Sequence, residues 1–187
     1  MLSRFTRRAF DEYLLFTNFA LGSTFMLGGD ILAQKVTRDG PHDWQRSKNM
    51  AIMGTGFGIM GHHWYKFLDK RFPGKSLQMV RNKLLCECAA TPAFAGYTFI
   101  AFGKLQGKSM TECGRDFREK IKFICVADWF VYVPAQAINF YFLPPKFRFL
   151  FVCGLSVIYD MFLAWLLTKE FQPIESKASV EEPKKGR

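Results

Sequence analysis

Residues 127–148 read ADWFVYVPAQAINFYFLPPKFR, an aromatic run of membrane-like hydrophobicity that nonetheless carries Asp128, the amide pair Gln136 and Asn139, and Pro134, Pro144 and Pro145. In lipid a charged or amide side chain faces a helix-bundle interior or a water-filled cavity, and prolines free backbone carbonyls that a neighbour must satisfy. The run therefore predicts an apolar segment with a polar task. On its own it fits a fifth membrane crossing, a re-entrant element or a tilted helix buried among others.

Outward from it, four further stretches of about 20 residues are long and apolar enough to span a hydrocarbon core: Tyr13 to Ala33, Asn49 to Leu68, Leu84 to Leu105 and Phe147 to Thr168. The mean hydropathy of -0.01 averages these tracts with basic connectors. The expected fold is all-α: a polytopic membrane bundle of four transmembrane helices, plus a charged amphipathic piece, Thr111 to Lys122, leading into the Pro-interrupted segment. One membrane domain is expected over residues 13–168, flanked by a basic amphipathic segment, 1–12, and a disordered tail, 169–187.

Lys and Arg outnumber Asp and Glu by 26 to 16, a net charge of +10. The excess is spread over every connector, which resembles interfacial flanking and leaves membrane orientation open. The first ten residues, MLSRFTRRAF, hold three arginines and no acid, with Leu2, Phe5 and Ala9 at helical spacing. They suit a mitochondrial import segment or an interfacial helix, and the two are compatible. Cys86, Cys88, Cys113, Cys125 and Cys153 form no metal-type pair of pairs and read as free thiols, mostly packed as small apolar side chains.

Gly54, Gly58 and Gly61 recur at steps of four and three residues, one helical face where a second helix approaches closely. Gly22, Gly28, Gly96 and Gly103 are expected to serve close packing as well. GFGIMG at 56–61 matches a dinucleotide-binding pattern, but no strand precedes it, so no cofactor is expected. Adjacent His62 and His63 point about 100° apart on a helix and make a poor metal pair. Trp64 and Tyr65, which follow, are residue types of membrane-water boundaries.

Asp30, Asp69, Glu87, Asp128 and Asp160 lie in or beside apolar segments. Each suits a salt bridge or a helix cap; together they suggest a polar interior, either a hydrated passage or a network locking the helices. The candidate interior is Asp30, Glu87, Asp128, Gln136, Asn139 and Asp160. No nucleophile elbow, Walker lysine or separated Cys-His arrangement is present, so no enzyme is expected. Arg115, Arg118, Lys120 and Lys122, beside Lys104 and Lys108, form a candidate contact for lipid or an acidic partner.

HHWYKFLD at 62–69, with Gly29-Asp30 and Gln34 before it and Lys83, Glu87 and Pro92 after it, resembles the Mpv-seventeen family of small membrane proteins. So does the segment from Asp128-Trp129 through Pro134, Gln136, Asn139-Phe140, Pro144 and Arg148. The resemblance covers roughly residues 10–168, and PPKFR with Asp160 looks closest to the branch called Mpv-seventeen-like protein two. It implies a four-span protein of the inner mitochondrial membrane, with peroxisomal cousins, no agreed enzymatic activity, and roles described as a weakly selective channel or as homeostasis. For this branch it implies mitochondrial ribosome assembly and translation. Glu87-Cys88 departs from the family's common Asp-Gln pair, and Asp128 from a frequent asparagine. The partners so expected are membrane lipid, the mitochondrial ribosome or its RNA, and a second copy of the chain; DNA is not among them. Passage of small solutes is the alternative function.

Overall fold

The computed structural model describes residues 2–37 and 40–170, with the side chains of residues 2–5, 160 and 162–170 outside the description. All of its regular structure is helical: α1 (Leu2–Asp11), α2 (Leu14–Thr37), α3 (Trp44–Arg71), α4 (Leu77–Leu105), α5 (Met110–Phe142), a 3-10 turn (Pro145–Phe147) and α6 (Arg148–Glu170). The tail expected to be disordered lies, from residue 171, outside the described residues.

Local chemistry sets the helix boundaries. Asp43, Ser76 and Ser109 cap α3, α4 and α5, each accepting a backbone N–H from the third residue onward. Glu112 closes a capping box by accepting from the Ser109 N–H at 2.7 Å. At the end of α4 the Lys108 N–H donates to the Gly103 carbonyl at 2.9 Å and the Gly107 N–H to Lys104 at 3.0 Å. That is a Schellman motif, and it requires the left-handed φ of +82° that Gly107 supplies. A tight stop followed by a strong start turns α4 and α5 into one hairpin.

The charged piece at 111–122 and the Pro-interrupted segment after it are a single helix of 33 residues, which corrects their reading as separate elements. Pro134 does not interrupt it: its ring sits on the exposed side, and only the backbone bond to the Phe130 carbonyl is forgone. Among the described residues two helices, α4 and α5, are long and apolar enough to cross a membrane. Of the four stretches read as spans, α4 therefore meets that test, and the ambiguous segment supplies the second. Polar residues threaded through α3, including Ser47, Asn49, His62 and His63, dilute its hydropathy.

Packing divides the helices into two groups, for α2 lies along both α3 and α6, whereas α4 lies mainly along α5. Glycine permits the first group. A Cβ on Gly22 would strike the Gly54 carbonyl, one on Gly54 the Gly22 carbonyl, and one on Gly58 the Asn18 carbonyl, so the α2 and α3 backbones nearly touch. Gly61 instead leaves room for the Phe149 ring of α6. Gly28 has nothing within 4 Å of a Cβ, which corrects its reading as a packing glycine.

The radial distribution is inverted relative to a water-soluble protein. Phe16, Leu77, Phe123, Phe130 and Ile158 face outward, each at least two-thirds exposed, while Asn18, Asp30, Gln34, Lys83, Gln136, Asn139 and Arg148 are buried. A small apolar core of Tyr65, Leu68, Val80, Phe140, Phe149 and Cys153 fills one end of the bundle.

Because the atoms opposing Gly58 are backbone, Gly58→Ala forces α2 and α3 apart and is expected to cost about 2 kcal/mol. Gly28→Ala, which meets nothing, should leave stability unchanged or slightly raised. Thermal unfolding of the two variants in detergent compares them directly.

Candidate functional site: a central cavity between two polar locks

At the end formed by the α2–α3 turn, Asp30 is the hub. Its Oδ1 accepts from Arg46 Nε at 2.7 Å, and its Oδ2 from Gln34 Nε2 at 2.7 Å and Ser47 Oγ at 2.6 Å. The Gln34 carbonyl in turn accepts the Asp43 N–H at 2.8 Å, and His42 Nε2 lies 2.9 Å from Ser47 Oγ. Asn49 donates to the Leu105 carbonyl at 3.1 Å, tying the end of α4 to the same level. A carboxylate with 1% of its side chain exposed is thereby fully coordinated.

The other end is held by Asp69, whose Oδ1 accepts from Lys83 Nζ at 2.7 Å and from Arg148 Nη1. Both cations are almost wholly buried and both lie over the Phe140 ring, at 5.6 Å and 5.2 Å from its centroid. A polar ladder runs inward from this lock. Asn139 Nδ2 donates to the Arg148 carbonyl at 3.3 Å and to Gln136 Oε1 at 2.7 Å, and Gln136 Nε2 donates to Tyr65 Oη at 2.7 Å.

Between the locks lies a cavity of about 380 Å³ walled by all of α2–α6. Its aromatic wall includes Phe57, Trp64 and Phe94, with Trp64 and Phe94 packed edge to face, 5.9 Å between ring centroids. Glu87, Asp128 and Gln136 also line it. Trp64 Nε1 donates to Glu87 Oε1 at 3.0 Å, and neither acid has a basic partner among the described residues. The hairpin sets their relative height: Glu87 lies 18 residues before Leu105 and Asp128 lies 18 residues after Met110. At the fixed rise of an α-helix, antiparallel partners so placed stand at one depth.

The candidate interior read from sequence is thus divided. Glu87, Asp128 and Gln136 share the cavity; Asn139 lies beneath it in the ladder; Asp30 belongs to the far lock; Asp160 is on α6 with its side chain outside the description. Trp64 and Tyr65 line the cavity, with Tyr65 buried, which corrects their reading as boundary residues. Sequence reasoning missed the pairing of Asp69 with Lys83 and Arg148 and the part of Ser47. The available signals were a lysine within an apolar window and the i, i+4 spacing of Asp30 and Gln34.

Arg115, Arg118, Lys120 and Lys122 are exposed on the first turns of α5, and none is ion-paired among the described residues. Arg115, Arg118 and Lys122 share one stripe, but Glu119 falls on it too. Lys108 is engaged: its hydrogen bond to Asp116, at 2.7 Å, holds the ammonium above the ordinary lysine value.

The sequence profile of the Mpv17 / PMP22 family matches residues 103–164. The chain is 28% identical over 148 residues to the human protein named mitochondrial inner membrane protein Mpv17, covering 77% of this chain and 84% of that one. It is 29% identical over 151 residues to the Mpv17-like protein of Bos taurus, covering 79% and 76%. PXMP2/4 family protein 2 of Dictyostelium discoideum is 27% identical over 165 residues, covering 82% and 84%. No solved structure matches the chain.

Asp69→Asn strips two buried cations of the carboxylate they share and is expected to destabilise the protein by about 3 kcal/mol or more. Lys83→Met leaves the Asp69–Arg148 pair intact and should cost about 1 kcal/mol. The order of the two melting temperatures in detergent checks the shared carboxylate.

Proposed function

We propose that the chain is a member of the Mpv17 / PMP22 family, which it resembles in sequence, and a multi-pass, non-enzymatic protein of the inner mitochondrial membrane whose central cavity serves the passage of small solutes. The compartment is that given in the names of the human, frog and bovine relatives. The acid-free, arginine-rich start of the chain agrees with it. The observation that carries the passage is the cavity itself. Outward-facing phenylalanines surround an interior in which two acids without a basic partner among the described residues, Glu87 and Asp128, gather on one chamber instead of being consumed in locks.

In this reading the Asp30 and Asp69 clusters are the two ends and the cavity is the chamber between them. Acids lining such a passage attract cations and exclude anions. Purified protein in planar bilayers is expected to conduct, and Asp128→Asn to lower the preference for cations over anions. Unchanged selectivity removes Asp128 from the lining, and absence of any conductance overturns the passage.

A second reading is support of mitochondrial ribosome assembly and translation, favoured by the exposed Arg115, Arg118, Lys120 and Lys122. Contacts to RNA phosphates release counterions and weaken steeply with salt. The protein should then co-sediment with mitochondrial ribosomal subunits at low salt and lose them when all four residues are changed to glutamine. No co-sedimentation at low salt sinks this reading.

A further inference from the structure

The cavity has a composition that runs against the chain as a whole. The protein carries a net charge of +10, yet among the described residues no lysine, arginine or histidine lines the cavity, while Glu87 and Asp128 both do. Each of α2–α6 contributes an aromatic ring to the wall, among them Phe25, Phe57, Trp64, Phe94, Trp129 and Tyr159. Elsewhere among the described residues the buried Asp30 is met by Arg46, and the part-buried Asp69 by Lys83 and Arg148. The two cavity acids have no such partner among the described residues.

We propose that the cavity is a binding site for an organic cation, an ammonium or guanidinium head on an apolar body. The electron-rich faces of the rings attract a weakly hydrated cation, and the attraction grows as water is excluded. Two carboxylates at one depth on adjacent helices supply the opposing charge that a buried cation needs. A strongly hydrated inorganic ion would have to shed its water against aromatic carbon, whereas an organic cation sheds little and fills the volume. At about 380 Å³ the space matches a small drug-sized molecule. Glu87 is oriented for this by Trp64, whose indole N–H holds Oε1 at 3.0 Å. The proposal rests on the cavity reading of the preceding subsection and names the solute class.

The test uses full-length protein in detergent, with tryptophan fluorescence as readout because Trp64 and Trp129 line the cavity. Benzyltrimethylammonium is titrated beside neopentylbenzene, its neutral isostere, in which carbon replaces the charged nitrogen. The expected result is saturable quenching by the cation, at least tenfold tighter than by the isostere and undisturbed by excess potassium chloride. Glu87→Gln with Asp128→Asn should erase that tenfold preference while the isostere binds as before, which also shows that the variant is folded. Equal affinity of the two probes for the wild-type protein overturns the proposal without reference to any variant. So does an unchanged preference in the double variant. Bilayer conductance separates the two ideas: conductance without cation binding overturns this inference and leaves the passage standing, whereas cation binding without conductance supports this inference and overturns the passage.

Discussion

One carboxylate, that of Asp69, stands against two buried cations from different helices, and the end of the bundle depends on it. Lys83 arrives from α4 and Arg148 from the start of α6, so a single acid on α3 fixes both groups of helices to one another. The cost of dehydrating such charges is large, and only a short, shared ion pair over an aromatic face offsets it. With large phenylalanines on the outside there is little to gain from burying more apolar surface. Specific polar contacts therefore set the geometry here, while glycines set the distance between α2 and α3.

The two locks and the chamber between them follow from one rule applied three times. Where an acid meets a cation and two or three donors, as at Asp30, it becomes structure. Where it is shared between cations, as at Asp69, it becomes a joint between helices. Where it meets no basic side chain among the described residues, as at Glu87 and Asp128, it is left to whatever enters the space. The passage and the organic-cation site both rest on this third case, and the excess of basic residues elsewhere sharpens it.

Much of this was legible in the sequence. Helical class, the glycine face at 54, 58 and 61, and polar groups in an apolar segment follow from periodicity and composition. What the chain did not disclose was which acids are neutralised, because the partners lie far apart in sequence: Asp69 and Arg148 are 79 positions distant. Pro134 suggested an interruption where the helix runs on, since a proline on the outer face sacrifices one backbone bond and nothing else. Gly28 looked like its neighbours in the pattern but faces open space. The equal depth of Glu87 and Asp128 was in principle readable, once Gly107 and Ser109 had marked the hairpin turn.

The Schellman-and-capping-box turn also bears on biogenesis. The chain emerges from its N-terminus, so α2 and α3 can dock through their glycines before the α4–α5 pair is complete, and that pair can then enter lipid as a prefabricated unit carrying both cavity acids. Arg148 and the remaining wall come with α6, which follows α5 along the chain. Until α6 docks, Asp69 and Lys83 stand as a simple couple and the chamber lacks one of its walls, so this helix completes both the joint and the cavity.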